Sequence, residues 1–159
     1  MKATNKKVIK QQVVYIPVRD LARAQQFYAN VFNFDVASFN YIEDPTGEKW
    51  SIFPLTKSNE AGKPVPTGFF FLGLGYSPHL IPSDKGTIAF LPCDDMDEAI
   101  QKIEEGGGKL LQGKTMERKT STRENQHIEI YHAFFLDTEG NKVGLTHGKV
   151  TTTISTETP

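Results

Sequence analysis

Residues 16–24 read IPVRDLARA, and residues 91–99 read LPCDDMDEA. An apolar run precedes each copy, and each copy enters a helical pattern at an aspartate, Asp20 in the first and Asp95 in the second, 75 residues apart. An apolar run followed by an aspartate and then by apolar residues at helical spacing predicts a strand that leads into an N-capped helix. Because this pattern occurs twice, the sequence predicts two similar structural modules that share one core.

Each half also predicts the same order of elements, β-α-β-β-β, from the apolar runs and turn residues that follow its helix. The first module spans residues 10–74 and the second spans residues 87–148. A linker over residues 75–86 joins them, and a polar, threonine-rich tail follows over residues 149–159. The polar segment at residues 115–126 is longer than its counterpart in the first half, so we expect a projecting loop there.

The composition is that of an ordinary globular protein, and its 159 residues fit one compact unit. The 18 Lys and Arg are balanced by 19 Asp and Glu, and no basic run is interleaved with aromatic residues, so we expect no nucleic-acid partner. We find neither a signal peptide nor an apolar stretch of membrane-spanning length, and we expect no membrane partner. Cys93, the only cysteine, cannot form an internal disulfide, so we expect a cytoplasmic location.

Three motifs in a fixed order carry a family resemblance. They are residues 16–24 with Phe27 and Tyr28 on the following helix, the second helix start at residues 94–95, and FLDTEGNKVGL at residues 135–145. Together they resemble the vicinal oxygen chelate superfamily, which includes glyoxalase I, bleomycin and fosfomycin resistance proteins, and extradiol dioxygenases. The resemblance covers roughly residues 10–148. It implies an α+β fold in which two β-α-β-β-β modules form a curved mixed sheet around a cavity, with the helices outside.

The resemblance also implies a divalent metal site, whose ligand positions carry other residues here. In the family, His and Glu side chains that point into the cavity hold the metal, and an open coordination position takes two substrate oxygens. The His positions, seven residues before each capping aspartate, fall on Val13 and Ile88, and the Glu position after the Gly-Asn turn falls on Gly144. The corresponding part of the first module offers only residues 69–71, which are all Phe. None of these side chains binds a metal, so we expect no metal, no cofactor, and an aromatic-lined cavity for a small organic ligand.

Six residues are predicted to bind that ligand. His132 lies on the penultimate strand with the same parity as Phe134, and the resemblance to fosfomycin-type proteins implies that this face looks into the cavity. His132 is therefore the candidate hydrogen-bonding group and the candidate general base. The full set is Tyr15, Trp50, Phe90, His132, Phe134 and Thr146, with stacking by the aromatic rings and hydrogen bonding by Tyr15, His132 and Thr146.

Structural alternatives stay open for several of these positions. His132, for which the sequence shows no paired acid, also fits a cavity wall or an interface. Trp50 fits the cavity wall or the ordinary core, because only one of Trp50 and Phe53 can face inward. His147, just past the last strand, fits an exposed strand end or the mouth of the cavity. The glycines at residues 106–108 follow a helix, so they indicate a helix C-terminus and not a phosphate-binding loop.

We therefore expect a metal-free, glyoxalase/bleomycin-resistance-like protein that binds small molecules. Two enzymatic alternatives stay open. The first is a lyase, isomerase or dioxygenase with a displaced metal site, for which His132 and Glu129 are the candidate ligands, although they lie on opposite strand faces. The second is a metal-independent enzyme with His132 as base. We also expect a homodimer, because exposed sheet edges invite pairing, and the two modules could pair within one chain or between two chains.

Overall fold

The computed structural model describes residues 12–34, 40–58, 64–121 and 126–152. Within these ranges the chain forms eight strands and two helices, and each half has the order β-α-β-β-β. The elements are β1 (Gln12–Pro17), α1 (Leu21–Phe32), β2 (Asn40–Glu43), β3 (Lys49–Ser58), β4 (Pro64–Tyr76), β5 (Phe90–Pro92), α2 (Met96–Glu105), β6 (Lys109–Ser121), β7 (Gln126–Leu136) and β8 (Lys142–Thr152).

The strands form two mixed, four-stranded sheets with the same internal order. The first sheet is ordered β1-β4-β3-β2 and the second is ordered β5-β8-β7-β6. In each sheet the first strand of the module runs parallel to the last one, and the remaining pairs are antiparallel. The predicted α+β fold of two β-α-β-β-β modules is therefore confirmed, with sheets that are not closed.

One hydrophobic core joins the two modules. Buried residues of both sheets, such as Leu72 and Leu145, belong to the same cluster as buried residues of α1 and α2. The Phe27 ring of α1 lies 6.2 Å from the Phe135 ring of β7, centroid to centroid, so the first helix packs on the second module's sheet. Burying one such side chain contributes roughly 1.5–3 kcal/mol. Side chains alternate along a strand, so the residues between these core positions point to the other face of each sheet. We call this face the open face. It carries Tyr15, Trp50 and Gly73 on the first sheet and Phe90, Phe134 and Gly144 on the second.

Both helices begin at the predicted aspartates. The Asp20 carboxylate accepts a hydrogen bond from the Arg23 backbone at 3.0 Å. The Asp95 carboxylate accepts from the backbones of Asp97 and Glu98 at 2.9 and 3.0 Å. Helix α2 ends in the predicted glycine run, where Gly107 has a φ of +89° that favours glycine. No helix in the described ranges has the length and apolar character that crossing a membrane requires.

We expect Asp20→Ala and Asp95→Ala each to lower the melting temperature by roughly 2–4 °C, since each removes an N-cap acceptor.

Hydrogen bonds from Glu98 and Asp97 also lower the pKa of Asp95. Its stabilising effect is therefore complete at neutral pH and is lost as the pH falls below about 4, where the unfolded chain takes up the proton. Thermal unfolding measured against pH tests this. Asn at either position, which keeps a cap acceptor, should retain most of the stability, and a loss of binding without a loss of stability would mark the aspartate as a site residue.

The predicted projecting loop at residues 115–126 is wrong over most of its length. Strand β6 continues to Ser121 and β7 begins at Gln126, while residues 122–125 lie outside the described part of the chain. Thr115 pairs with His132, and three irregularities interrupt the register of β6 against β7. Most of β6 is exposed, so its sequence shows no apolar alternation from which a strand could be recognised.

The module boundaries also shift. Strand β4 continues to Tyr76 and β5 begins only at Phe90, so the connection between the modules covers residues 77–89 and not 75–86. At the other end, residues 149–152 continue β8 instead of starting the tail, and Val150 pairs with Ile128 of β7. The rest of the predicted tail, residues 153–159, lies outside the described part of the chain.

Candidate functional site

Aromatic rings lie directly over glycines on the open face of the first sheet. Tyr15 of β1 pairs with Gly73 of β4, and Trp50 of β3 pairs with Gly75. A Cβ atom at Gly73 would overlap the Tyr15 ring, and one at Gly75 would overlap the Trp50 ring. The two rings meet edge to face, with centroids 4.7 Å apart. Tyr15 keeps 46% of its surface exposed, so the ring is available to a ligand.

The open face of the second sheet repeats this arrangement at the equivalent positions. Phe90 of β5 pairs with Gly144 of β8, and a Cβ atom at Gly144 would lie 2.5 Å from Cδ1 of the Phe90 ring. Phe134 of β7 packs edge to face on Phe90, with centroids 5.4 Å apart. Phe90 is 47% exposed, close to the value for Tyr15. Glycine lets an aromatic ring of a neighbouring strand fold across the sheet, and both modules use this device.

His132 shares the open face with Phe134 and lies beside polar groups of β6. Its ring centroid is 5.3 Å from that of Phe134. Nε2 lies 3.3 Å from Nε2 of Gln112, and Nδ1 lies 3.7 Å from Oε2 of Glu117, a distance that makes an ion pair when the histidine is protonated. Thr146 is its partner on β8. The sequence analysis assigned no role to Gln112 and placed Glu117 in the projecting loop.

The six predicted ligand-binding residues thus fall into two groups. Tyr15 and Trp50 lie on the first sheet, and Phe90, His132, Phe134 and Thr146 lie on the second. The ring contacts described above between members of this set of six join residues of the same group. The side chains of Phe53 and of residues 69–71, which the sequence analysis considered for the core or the cavity, lie outside the described part of the chain.

A cleft of about 270 Å³ lies between strand β1, the connection that precedes β5, and the start of β8. Of the six predicted residues only Tyr15 lines it. Its wall also contains Ile81, Lys85, Ala89 and Lys142. Lys142 connects the cleft to the second sheet's aromatic group, because its Nζ lies 4.9 Å from the centre of the Phe134 ring.

The family model for the Glyoxalase/Bleomycin resistance protein/Dioxygenase superfamily matches residues 10–145. The chain belongs to this superfamily. The match covers both modules with both aromatic groups, and it confirms the resemblance found in the sequence motifs. Among curated protein sequences, none matches this chain.

Solved structures share the fold of this superfamily member at low sequence identity. V278E glyoxalase I from Zea mays is 18% identical with a TM-score of 0.56, over 85% of this chain and 44% of that one. A glyoxalase/bleomycin resistance protein from Albidiferax ferrireducens is 13% identical with a TM-score of 0.52, over 85% of this chain and 95% of that one. Hypothetical protein SA1046 from S. aureus is 17% identical with a TM-score of 0.50, over 89% and 95%. The present chain spans less than half of the maize protein.

The structure corrects one of the four positions at which this superfamily places metal ligands. Gly73 has the same register against Tyr15 as Gly144 has against Phe90, so Gly73, and not residues 69–71, is the counterpart of Gly144. With Val13 and Ile88 at the other two positions, the set has no side-chain donor, and the rings over both glycines occupy the space of the missing side chains. These residues do not fit the family's metal. Across the described residues, no group of three or more His, Cys, Asp or Glu is placed to hold one.

Glu129, the candidate ligand for a displaced metal, does not converge with His132. It lies on the other face of β7, where its carboxylate binds Lys119 Nζ at 2.9 Å and accepts from the Tyr131 hydroxyl at 2.9 Å. The hydrogen bond from Lys119 lowers the pKa of Glu129. The side chain is thus engaged as a surface ion pair.

Cys93 and His147 are held by backbone contacts away from the open face. The Cys93 thiol donates to the Thr146 carbonyl at 3.7 Å, and burial raises its pKa to about 11, so it stays a protonated, unreactive thiol at neutral pH. His147 Nδ1 lies 3.0 Å from the Cys93 carbonyl, and its ring stands beside Tyr131. Its position one residue after Thr146 turns it to the opposite face from the candidate cavity residues.

Proposed function

We propose that this protein binds a small organic molecule without a metal, against the aromatic rings on the open faces of its sheets. The observation that carries the proposal concerns Gly73 and Gly144. Both stand where the superfamily places metal ligands, and the rings of Tyr15 and Phe90 occupy the space that a side chain there would need. Both rings stay about half exposed, an arrangement that favours stacking on a flat or apolar ligand. A homodimer and a cytoplasmic location stay predictions from the sequence.

Because these four positions carry no metal ligand, we predict that the purified protein contains no bound metal at them. Elemental analysis of protein prepared without chelators should find no stoichiometric Zn, Ni, Fe or Mn, because Val13, Gly73, Ile88 and Gly144 offer no donor atom. A tightly bound equivalent held by side chains of the open faces would contradict the proposal. Trp50 is the only tryptophan and touches Tyr15, so quenching of its emission provides the matching assay for organic ligands.

His132 is the polar anchor of the proposed site. We expect His132→Ala to weaken ligand binding by about 1–2 kcal/mol, the worth of a hydrogen bond to a bound molecule, while the melting temperature changes little. His127→Ala is the matched control, because His127 is exposed and bonds Ser121 at the far end of the same strand. Equal weakening by both substitutions would contradict a specific role for His132.

A second function is favoured by the position of Glu117. The Glu117 carboxylate lies 3.7 Å from Nδ1, within reach of an ion pair, so His132 as a candidate base has an acidic group beside it, as a metal-independent lyase or isomerase could use. Such an enzyme would lose turnover in His132→Gln while retaining most of its ligand affinity. The binding protein proposed above would show no turnover in either form.

A further inference from the structure

We infer that the ligand is an organic anion and that Lys85 and Lys142 hold its charged group in the cleft beside Tyr15. This inference rests on the proposed small-molecule binding and adds the chemical class of the ligand. The expected molecule has an apolar or aromatic body and one anionic group, such as a carboxylate or a sulfonate.

The apolar side of the cleft is built to receive a ring or a hydrocarbon group. Val14 and Tyr15 are both nearly half exposed along β1, and Ile81 opposite them is 67% exposed. An isoleucine left this open beside two other exposed apolar residues forms a surface patch that a ligand would cover. The cleft volume of about 270 Å³ lies just below the range of roughly 300–1,000 Å³ that is usual for small-molecule sites.

The charged side of the cleft carries cations alone. Lys85 and Lys142 both line it, and no Asp or Glu does, although Asp84 precedes Lys85 in the chain. Among the described residues neither lysine forms an ion pair with an acidic side chain. Two lysines without a counter-ion in one concave wall attract an anion and bind it by charge-assisted hydrogen bonds.

The carboxylates of Asp137 and Glu139, in the turn that precedes Lys142, are engaged with other groups. Glu139 binds Arg23 at 2.7 Å and accepts from the Arg19 and Asp20 backbones. Asp137 is buried and accepts from Tyr28. Neither lysine is therefore paired with an acidic side chain among the described residues. The Lys142 ammonium lies over the Phe134 ring, 4.9 Å from its centre, a contact that leaves its charge without a counter-ion.

Ser83 fixes the two lysine backbones relative to each other. Its carbonyl accepts from the Lys142 backbone at 3.2 Å, and its hydroxyl accepts from the Lys85 backbone at 3.0 Å. Its own backbone donates to the Asn141 side chain at 3.1 Å. The connection between the modules is thus tied to the start of β8, and this brings both cations to one cleft.

The test compares two fluorescent probes that differ in one charged group. 8-Anilinonaphthalene-1-sulfonate is an aromatic anion, and N-phenyl-1-naphthylamine has the same rings without the sulfonate. Both are titrated into the folded protein, with energy transfer from Trp50 and isothermal calorimetry as readouts. We expect the protein to bind one equivalent of the anion, with a lower Kd than for the neutral probe. This difference in Kd should shrink as salt is added.

Substituting the lysines tests whether they cause the difference in Kd between the two probes. Lys85→Met and Lys142→Met should each raise the Kd of the anionic probe roughly threefold to tenfold and leave the Kd of the neutral probe unchanged. Tyr15→Ala should weaken both probes, because it removes the shared apolar contact. Lys149→Met is the matched control. Lys149 is exposed on β8, the strand that also carries Lys142, and lies at least roughly 20 Å from Lys142.

The outcomes separate this inference from the function on which it rests. If both probes bind equally and neither lysine variant changes the anion's Kd, the anion site is overturned while small-molecule binding stands. If Lys149→Met weakens the anion as much as the cleft variants do, the effect is general surface charge and the inference is overturned. If neither probe binds with one saturable site, both the inference and the proposed function fail.

Discussion

Asp137→Ala is expected to lower the free energy of unfolding by roughly 3 kcal/mol or more, because it removes a buried acceptor of four hydrogen bonds. Asp137 is only 4% exposed. One carboxylate oxygen accepts from the Tyr28 hydroxyl at 2.8 Å and from the Asn141 side chain at 2.9 Å. The other accepts from the backbones of Asn141 at 2.8 Å and Glu139 at 2.9 Å. Alanine would leave these donors unpaired in the interior.

The effect is large because this carboxylate holds the two modules together. Tyr28 belongs to α1 of the first module, whereas Asp137 and Asn141 belong to the turn between β7 and β8 of the second. Asn141 also donates to the Pro17 carbonyl of β1 at 2.8 Å. Losing the acceptor therefore loosens the contact between modules as well as the turn itself.

Urea unfolding checks this prediction, and Tyr28→Phe is the control, since it removes one donor and should cost only about 1 kcal/mol. An Asp137→Ala variant that loses no more than Tyr28→Phe would show that the carboxylate is not the centre of the network. Burial raises the pKa of Asp137, so the folded state holds its proton longer than the unfolded chain does. Stability from this group then falls as the pH rises above about 4, the reverse of the effect at Asp95, and Asp137→Asn should abolish that fall.

The helix starts were predictable from sequence because their determinants are local. Asp20 and Asp95 each act on an amide two or three residues away, so a short motif contains the whole interaction. The strand containing Thr115 and Glu117 was not predictable in this way. Its stability comes from pairing with β7, and its exposed side chains carry no trace of that pairing.

The open faces were predictable only in part. Strand parity alone places His132 and Phe134 together, as the structure has them. The first module's counterpart of Gly144 was missed because the 75-residue offset between the helix starts points to Phe69, whereas the strand register gives Gly73, four residues later. The two modules differ in length between the helix and the last strand, so equivalent residues of β4 and β8 are not 75 residues apart. The spacing of the helix motifs contains no information on this difference.

The cleft beside Tyr15 was missed for a related reason. Its second wall comes from residues 81–89, which have no periodicity and were assigned to a linker and the start of a strand. Their position depends on contacts such as that of Ser83 with Asn141, 58 residues away in the chain. Local sequence patterns do not contain contacts of this range.

Gly144→Ala is expected to lower the free energy of unfolding by roughly 1–3 kcal/mol, because its methyl group would overlap the Phe90 ring and push that ring off its contact with Phe134. The added Cβ would lie 2.5 Å from Cδ1, 2.6 Å from Cε1 and 3.0 Å from Cγ of Phe90, so it meets one whole edge of the ring. Phe134 packs on that same ring, and Gly144 pairs with both Phe90 and Phe134 from the centre of three strands. Neither the ring nor the backbone can shift without disturbing these contacts.

A double-mutant cycle separates this overlap from a general cost of alanine in a strand. Once Phe90→Ala has removed the ring, Gly144→Ala should cost little, so the two changes should be strongly coupled. Gly113→Ala on β6 of the same sheet is the control, because its Cβ would meet nothing within 4 Å. Additive costs in the cycle would contradict the packing of Phe90 over Gly144. Coupled costs would mean that this chain needs a glycine where its superfamily places a metal ligand, so that restoring a side chain there would displace the ring proposed to stack on the ligand.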